Sequence, residues 1–200
     1  MDIFISTFLK MFFIMTPFFV LSVFLTMTQY STSKEKKALA IKVTISVVVI
    51  SLILLFFGKH IFSVFGITLD AFRIGAGALL FLAAVDLVKG TKDGGKVGNK
   101  DISQLAVVPL AIPVTIGPGT IGILLVMGAS FEDTSSMLMG SLALVWAVLV
   151  IGIMLYSSSL IERIIGKQGL LVISKITGLF LAALSAQIVF TGIKNFLGLW

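Results

Sequence analysis

Apolar residues run through this chain in six long blocks, at roughly 3–27, 40–58, 68–88, 103–128, 137–160 and 170–196. Each is close to the ~20 residues that a helix needs to cross the hydrocarbon core of a bilayer. Short polar connections separate them: Gln29–Lys37, Gly58–His60, Lys89–Asp101, Ala129–Ser135 and Glu162–Gly169. None is long enough for a second domain. The pattern predicts an all-α integral membrane protein of six transmembrane helices, a single membrane domain over 1–200.

Composition agrees. Hydrophobic residues make up 58% of the chain and charged residues 12%, against about a quarter charged in a soluble domain. Mean hydropathy is +1.16. The formal net charge of +6 does not imply nucleic acid, because the basic residues sit in loops between apolar blocks. Lys34, Lys36, Lys37 and Lys42 flank the first connection, Lys89, Lys92, Lys96 and Lys100 the third, and Arg163 and Lys167 lie in the fifth. The second holds Lys59, and the fourth is acidic, with Glu132 and Asp133. Alternate loops are therefore basic, which by the positive-inside rule turns both termini outward. The first ten residues carry Asp2 and Lys10 without a basic leader region, so the first block is read as a retained span. The absence of cysteine excludes disulfides and thiolate metal sites, and the lone His60 forms no metal cluster by itself. No cofactor is expected.

Proline placement adds the chemistry. Pro109, Pro113 and Pro118 fall inside the fourth block and Pro17 in the middle of the first. Proline removes an amide donor and clashes with the preceding turn. In hydrocarbon the freed backbone groups find no water, so such breaks survive only inside protein or beside a polar cavity. Helices 1 and 4 are thus expected to be broken near the midplane. A broken helix offers amide N–H groups, backed by the helix dipole, to an anion, while the carbonyls that end its first half suit an ammonium or a cation. Gly117 and Gly119 allow close approach of a ligand. Thr16, Ser22, Thr115 and Thr120 add hydroxyls. With Pro17, Pro113, Pro118 and Gln187 these form the candidate substrate site, suited to a small zwitterion. The competing reading is that proline and small residues only kink and pack membrane helices.

The two halves of the chain also look alike. Ile14–Leu25 can be laid over Leu110–Ile121, which sets Pro17 over Pro113 and Ser22 over Pro118. Ala71–Asp86 can be laid over Ile173–Gln187, which sets Arg73 over Lys175. With three spans in each half, repeat one (1–90) and repeat two (102–200) would be inverted in the membrane, joined by a cytoplasmic linker at 90–101. Inverted repeats with broken helices at their interface are a transporter architecture. Arg73 and Lys175 lie inside spans and are candidates for gating or for structural charge, with Asp70 spaced to pair with Arg73. Asp86 near the end of its span reads as an interfacial partner. The small-residue faces Gly75, Gly77, Ala83, Ala84 and Gly178, Ala182, Ala183, Ser185, Ala186 read as helix packing, and Trp200 as an interfacial anchor.

Three strings carry a resemblance: Phe65–Asp86, Val107-Val-Pro-Leu-Ala-Ile-Pro-Val-Thr-Ile-Gly-Pro-Gly119 and Ser174–Gly192. Across nearly its whole length the chain resembles the MarC family, also described as neutral amino-acid transporters. The resemblance implies a six-span protein of the prokaryotic cytoplasmic (inner) membrane, moving glycine, alanine or similar amino acids. Two departures stand out. Where the family carries Asn-Pro-x-Gly-x-x-Pro in its first span, this chain has Thr16-Pro-Phe-Phe-Val-Leu-Ser22; and its last-span basic residue, commonly Arg, is Lys175. The expected activity is a secondary carrier for small neutral amino acids, alternating access between its halves and driven by a proton or sodium gradient or by exchange. A channel or a scaffold subunit is the alternative. An intramembrane enzyme is disfavoured by one His, no Cys and almost no acidic residues in the spans. Besides the amino acid and the bilayer, further copies of the chain are an open partner.

Overall fold

A computed structural model describes residues 2–89 and 106–198, and their regular structure is helical throughout. In chain order come α1 (Asp2–Ile14), α2 (Pro17–Met27), α3 (Ser33–Phe65), α4 (Leu69–Lys89), a π-helix (Ala106–Thr115), α5 (Pro118–Ser130), α6 (Thr134–Tyr156) and α7 (Ser158–Phe196). Among the described residues five segments are long and apolar enough to cross a membrane, one of them α1 and α2 taken together as Phe4–Met27. The shorter apolar α5 follows the π-helix in the fourth block. The linker at 90–101 and the Trp200 anchor lie outside the described residues.

Some boundaries differ from the hydropathy reading. Helix α3 starts at Ser33, inside the first polar connection, because Thr32 and Glu35 form a reciprocal capping box. It also runs through Gly58–His60 and ends only at Gly66, whose φ of 62° suits a glycine. Gly58 does not break the helix; its missing side chain lets α3 lie directly on the Leu125 backbone of α5. The expected connection at 162–169 is likewise helical, interrupted at Gly166 (φ 72°, ψ 164°), where α7 kinks. Asp133 caps α6 (Ser136 N to Asp133 Oδ1, 3.3 Å). Hydrogen bonds from Ser136, side chain foremost, hold that carboxyl below its usual range.

Small residues set the packing. Helices α4 and α7 run antiparallel: Gly192 meets the Asp70 backbone, Gly77 meets Ser185 and Val189, and Gly178 meets Ala84 and Leu87. Gly77, Ala84, Gly178 and Ser185 are thus used for packing as expected, while Gly75, Ala83 and Ala183 face outward. Gly128 sits on the Leu55 carbonyl of α3, and Gly119 and Gly122 sit on Leu80 and Ala76 of α4. Helix α1 packs on α6, and α2 on α7. The core they enclose includes Met11, Met15, Leu21, Phe24, Leu110 and Leu144, each at most 1% exposed.

Candidate functional site

Both expected breaks are present. The first lies near the middle of Phe4–Met27. Helix α1 ends at Ile14, Thr16 takes a left-handed conformation (φ 47°, ψ 59°), and α2 begins on Pro17. Pro17 is favoured there because a first-turn residue needs no amide bond and proline's fixed φ is already helical. The second break has another shape. The π-helix carries Pro109 and Pro113 and closes with the Ile116 amide on the Ala111 carbonyl (2.9 Å). Gly117 is then extended (φ −77°, ψ 171°), and α5 begins on Pro118. A five-residue turn is wider than an α-turn and marks places where a regular helix is interrupted.

Pro17 and Pro118 hold the same position, the first residue of a second half-helix, whereas Pro113 lies within the π-helix. By place in their half-helices Pro17 thus corresponds to Pro118, while the overlay of Pro17 on Pro113 and of Ser22 on Pro118 is one of sequence likeness. Sequence overlay aligned apolar neighbours; the helix starts align on the prolines.

Neither half-helix start is capped by a side chain. In α2 the first bonded amide is Val20, onto the Thr16 carbonyl, and in α5 it is Ile121, onto Gly117. Pro17 and Pro118 have no amide, so Phe18 and Phe19 at one start, and Gly119 and Thr120 at the other, point N–H groups out of the helix without a backbone partner among the described residues. The two breaks meet. The Thr120 hydroxyl approaches the Ile14 carbonyl at 3.5 Å, across 106 residues of sequence. That carbonyl is one the first break frees. Thr120 is 4% exposed and Thr16 8%.

The remaining candidates divide. Thr115 is buried and donates to the Leu110 carbonyl (2.7 Å). It also lines a small, mainly apolar crevice with Val43, Thr44, Val47, Val148 and Gly152. Gly119 leaves no room for a ligand at its α-carbon, because an added Cβ would stand 2.8 Å from the Leu80 backbone; its use is packing, and only its amide is available. Ser22 is half-buried more than a turn into α2, and Pro118 is exposed. Gln187 is exposed on α7.

Charged candidates lie elsewhere. Arg73 pairs with Asp70 (2.7 Å) as the spacing predicted, and it also donates to Ser130 Oγ (3.0 Å). Asn195 Nδ2 donates to Asp70 (3.3 Å). This cluster ties the ends of α4, α5 and α7 together. It stands two turns, ~10 Å by helical rise, from Leu80, the residue that meets Gly119. Ser130 and Asn195 were not anticipated, since a serine and an asparagine at span ends carry no sequence signal without their partner. Lys175 is half-buried near the middle of α7, beyond the Gly166 kink, and Asp86 is exposed near the end of α4.

This geometry, two proline-started half-helices meeting inside an apolar bundle, can be set beside known proteins. The chain matches the MarC family of integral membrane proteins over residues 1–197. It belongs to the MarC family. Similar proteins include a UPF0056 membrane protein of Aquifex aeolicus, 34% identical over 98% of this chain and 94% of that protein. A UPF0056 membrane protein of Methanocaldococcus jannaschii is 33% identical over 96% of both chains. The UPF0056 membrane protein YhcE of Escherichia coli is 31% identical over 96% of this chain and 93% of that one. No solved structure matches. Membership covers both breaks, so the proline-started half-helices lie within the part this chain shares with the MarC family.

Proposed function

We propose that this MarC-family protein is a secondary carrier for small neutral amino acids such as glycine or alanine. The observation that carries the reading is the meeting of two uncapped half-helix starts inside the bundle, with the Thr120 hydroxyl against the Ile14 carbonyl. Free amides beside positive helix ends suit a carboxylate, and freed carbonyls suit an ammonium. A small zwitterion supplies both within a few ångströms.

Alternating access would use two inverted three-span repeats. The packing supports this: exchanging spans 1–3 for 4–6 turns the α1–α6 pairing into one between the π-helix and α3, turns α4–α5 into α2–α7, and leaves α4–α7 unchanged. On this reading both termini face outward across a prokaryotic cytoplasmic membrane, and a proton or sodium gradient, or exchange, drives the flux. The Asp70–Arg73–Ser130–Asn195 cluster would close the outer rim, with Lys175 near the inner one.

Proteoliposomes holding the purified chain test the reading with labelled glycine and alanine under imposed proton and sodium gradients. Saturable uptake that Gly117→Leu abolishes is the expected result. Uptake equal to empty liposomes under every gradient overturns the amino-acid assignment. Unitary conductance in a planar bilayer would make the protein a channel instead.

A further inference from the structure

Among the described residues, Ser51 Oγ is the single buried side-chain oxygen or nitrogen without a hydrogen-bond partner, and the residue is 0% exposed. Hydroxyls in these helices ordinarily donate one turn back: Thr44 to Ala40 (2.7 Å), Ser130 to Val126 (2.7 Å) and Ser174 to Leu170 (2.8 Å). Ser51 does not make that bond, so its hydroxyl keeps its donor free.

Its neighbours on the same stripe of α3 show where it lies. Thr44 and Val47 line the crevice with Thr115, at the end of the π-helix. One turn beyond Ser51, the Leu55 carbonyl carries Gly128, and Gly58 meets Leu125. Between those contacts, Ser51 falls level with the opening turn of α5, where the amides of Gly119 and Thr120 have no partner among the described residues. A buried unpartnered hydroxyl and an uncapped positive helix end thus occur at one height.

We infer that Ser51 is a further substrate-binding residue, whose hydroxyl joins the Gly119 and Thr120 amides in holding the carboxylate at the head of α5. This rests on the carrier reading and adds a residue from a third span to a site otherwise built from spans 1 and 4. A carboxylate offers about four lone-pair sites, enough for three such donors, and donors to a charged acceptor form the stronger class of hydrogen bond.

Binding of glycine and alanine to the purified full chain, measured by calorimetry, decides it, with thermal unfolding measured on the same samples. Ser51→Ala should weaken binding about tenfold without lowering the unfolding temperature, since it removes a polar atom that the protein leaves unpaired. Ser51→Thr, which keeps a hydroxyl, should bind within about threefold of the wild type. Equal affinity in wild type and Ser51→Ala overturns the assignment and leaves the carrier reading standing. Joint loss of affinity and stability also overturns it, by making Ser51 structural. A wild-type chain that binds neither amino acid overturns the carrier reading, and the role of Ser51 with it.

Discussion

The two breaks reach the same end by different backbones. At the first, one residue does the work: Thr16 turns left-handed and α2 starts at once on Pro17. At the second, ten residues of π-helix and an extended Gly117 precede Pro118. Their surroundings differ as well. Helix α5 carries Gly119, Gly122 and Gly128, each against a neighbouring helix. Helix α2 has no glycine and packs through Val20, Leu21, Phe24 and Leu25. The α5 half is held by close backbone contact, the α2 half by side-chain bulk. Side-chain bulk can slide and repack more readily than backbone seated on backbone.

Gly128→Ala probes the tighter half and should have the largest effect. The added methyl would overlap the Leu55 carbonyl, and backbone on both sides has little freedom to withdraw. Overpacking of this kind costs about 1–3 kcal/mol or more, against roughly 1 kcal/mol gained from the better helix propensity of alanine. A net loss of about 2 kcal/mol is expected in reversible unfolding in detergent. Gly75→Ala is the control, because nothing lies within 4 Å of its added methyl; it should be neutral or slightly stabilising. Equal behaviour of the two variants would dissolve the contrast between the halves.

The looser half stores strain that can be released. Thr16 is the only non-glycine residue with positive φ among those described. A β-branched residue in that region is an outlier, costing on the order of 1–3 kcal/mol. Asparagine tolerates the left-handed conformation far better, and it is the residue that the MarC pattern places before this proline. Thr16→Asn should therefore stabilise by about 1 kcal/mol, seen as a higher unfolding temperature. A lower one would mean that the Thr16 methyl packs better than its backbone suffers.

Much of this was legible in the sequence, for identifiable reasons. Long apolar blocks and mid-span prolines act through local chemistry, so the helical class and both breaks could be read without a partner in view. The capping box at Thr32 and Glu35 and the helical Gly58 were not read, because hydropathy reports solvent preference and not where a helix ends. Overlay of the two halves sets Pro17 on Pro113 by side-chain likeness, whereas the half-helix starts fall on Pro17 and Pro118. In the sequence Gly119 reads as room for a ligand; whether a glycine opens space or fills it with Leu80 depends on a residue 39 positions away. Arg73 is legible as the partner of Asp70 from its spacing, whereas Asn195, 125 residues distant, is not, for the same reason.

The smallest effect on stability should come from the contact that joins the breaks. At 3.5 Å the Thr120 hydroxyl to Ile14 carbonyl bond is at the edge of useful geometry. Thr120→Val keeps the shape and removes the donor, so it should cost less than about 1 kcal/mol. Substrate binding should respond more strongly, because a ligand seated between the breaks requires both starts to hold their spacing, and a freed carbonyl will compete for its ammonium. Thr120→Ser, which keeps the hydroxyl, separates the two effects. Wild-type affinity in Thr120→Ser with a severalfold change in Thr120→Val places the hydroxyl in the site. An unfolding temperature that falls steeply in Thr120→Val, with affinity unchanged, would make the contact a structural clasp between halves that bind nothing between them.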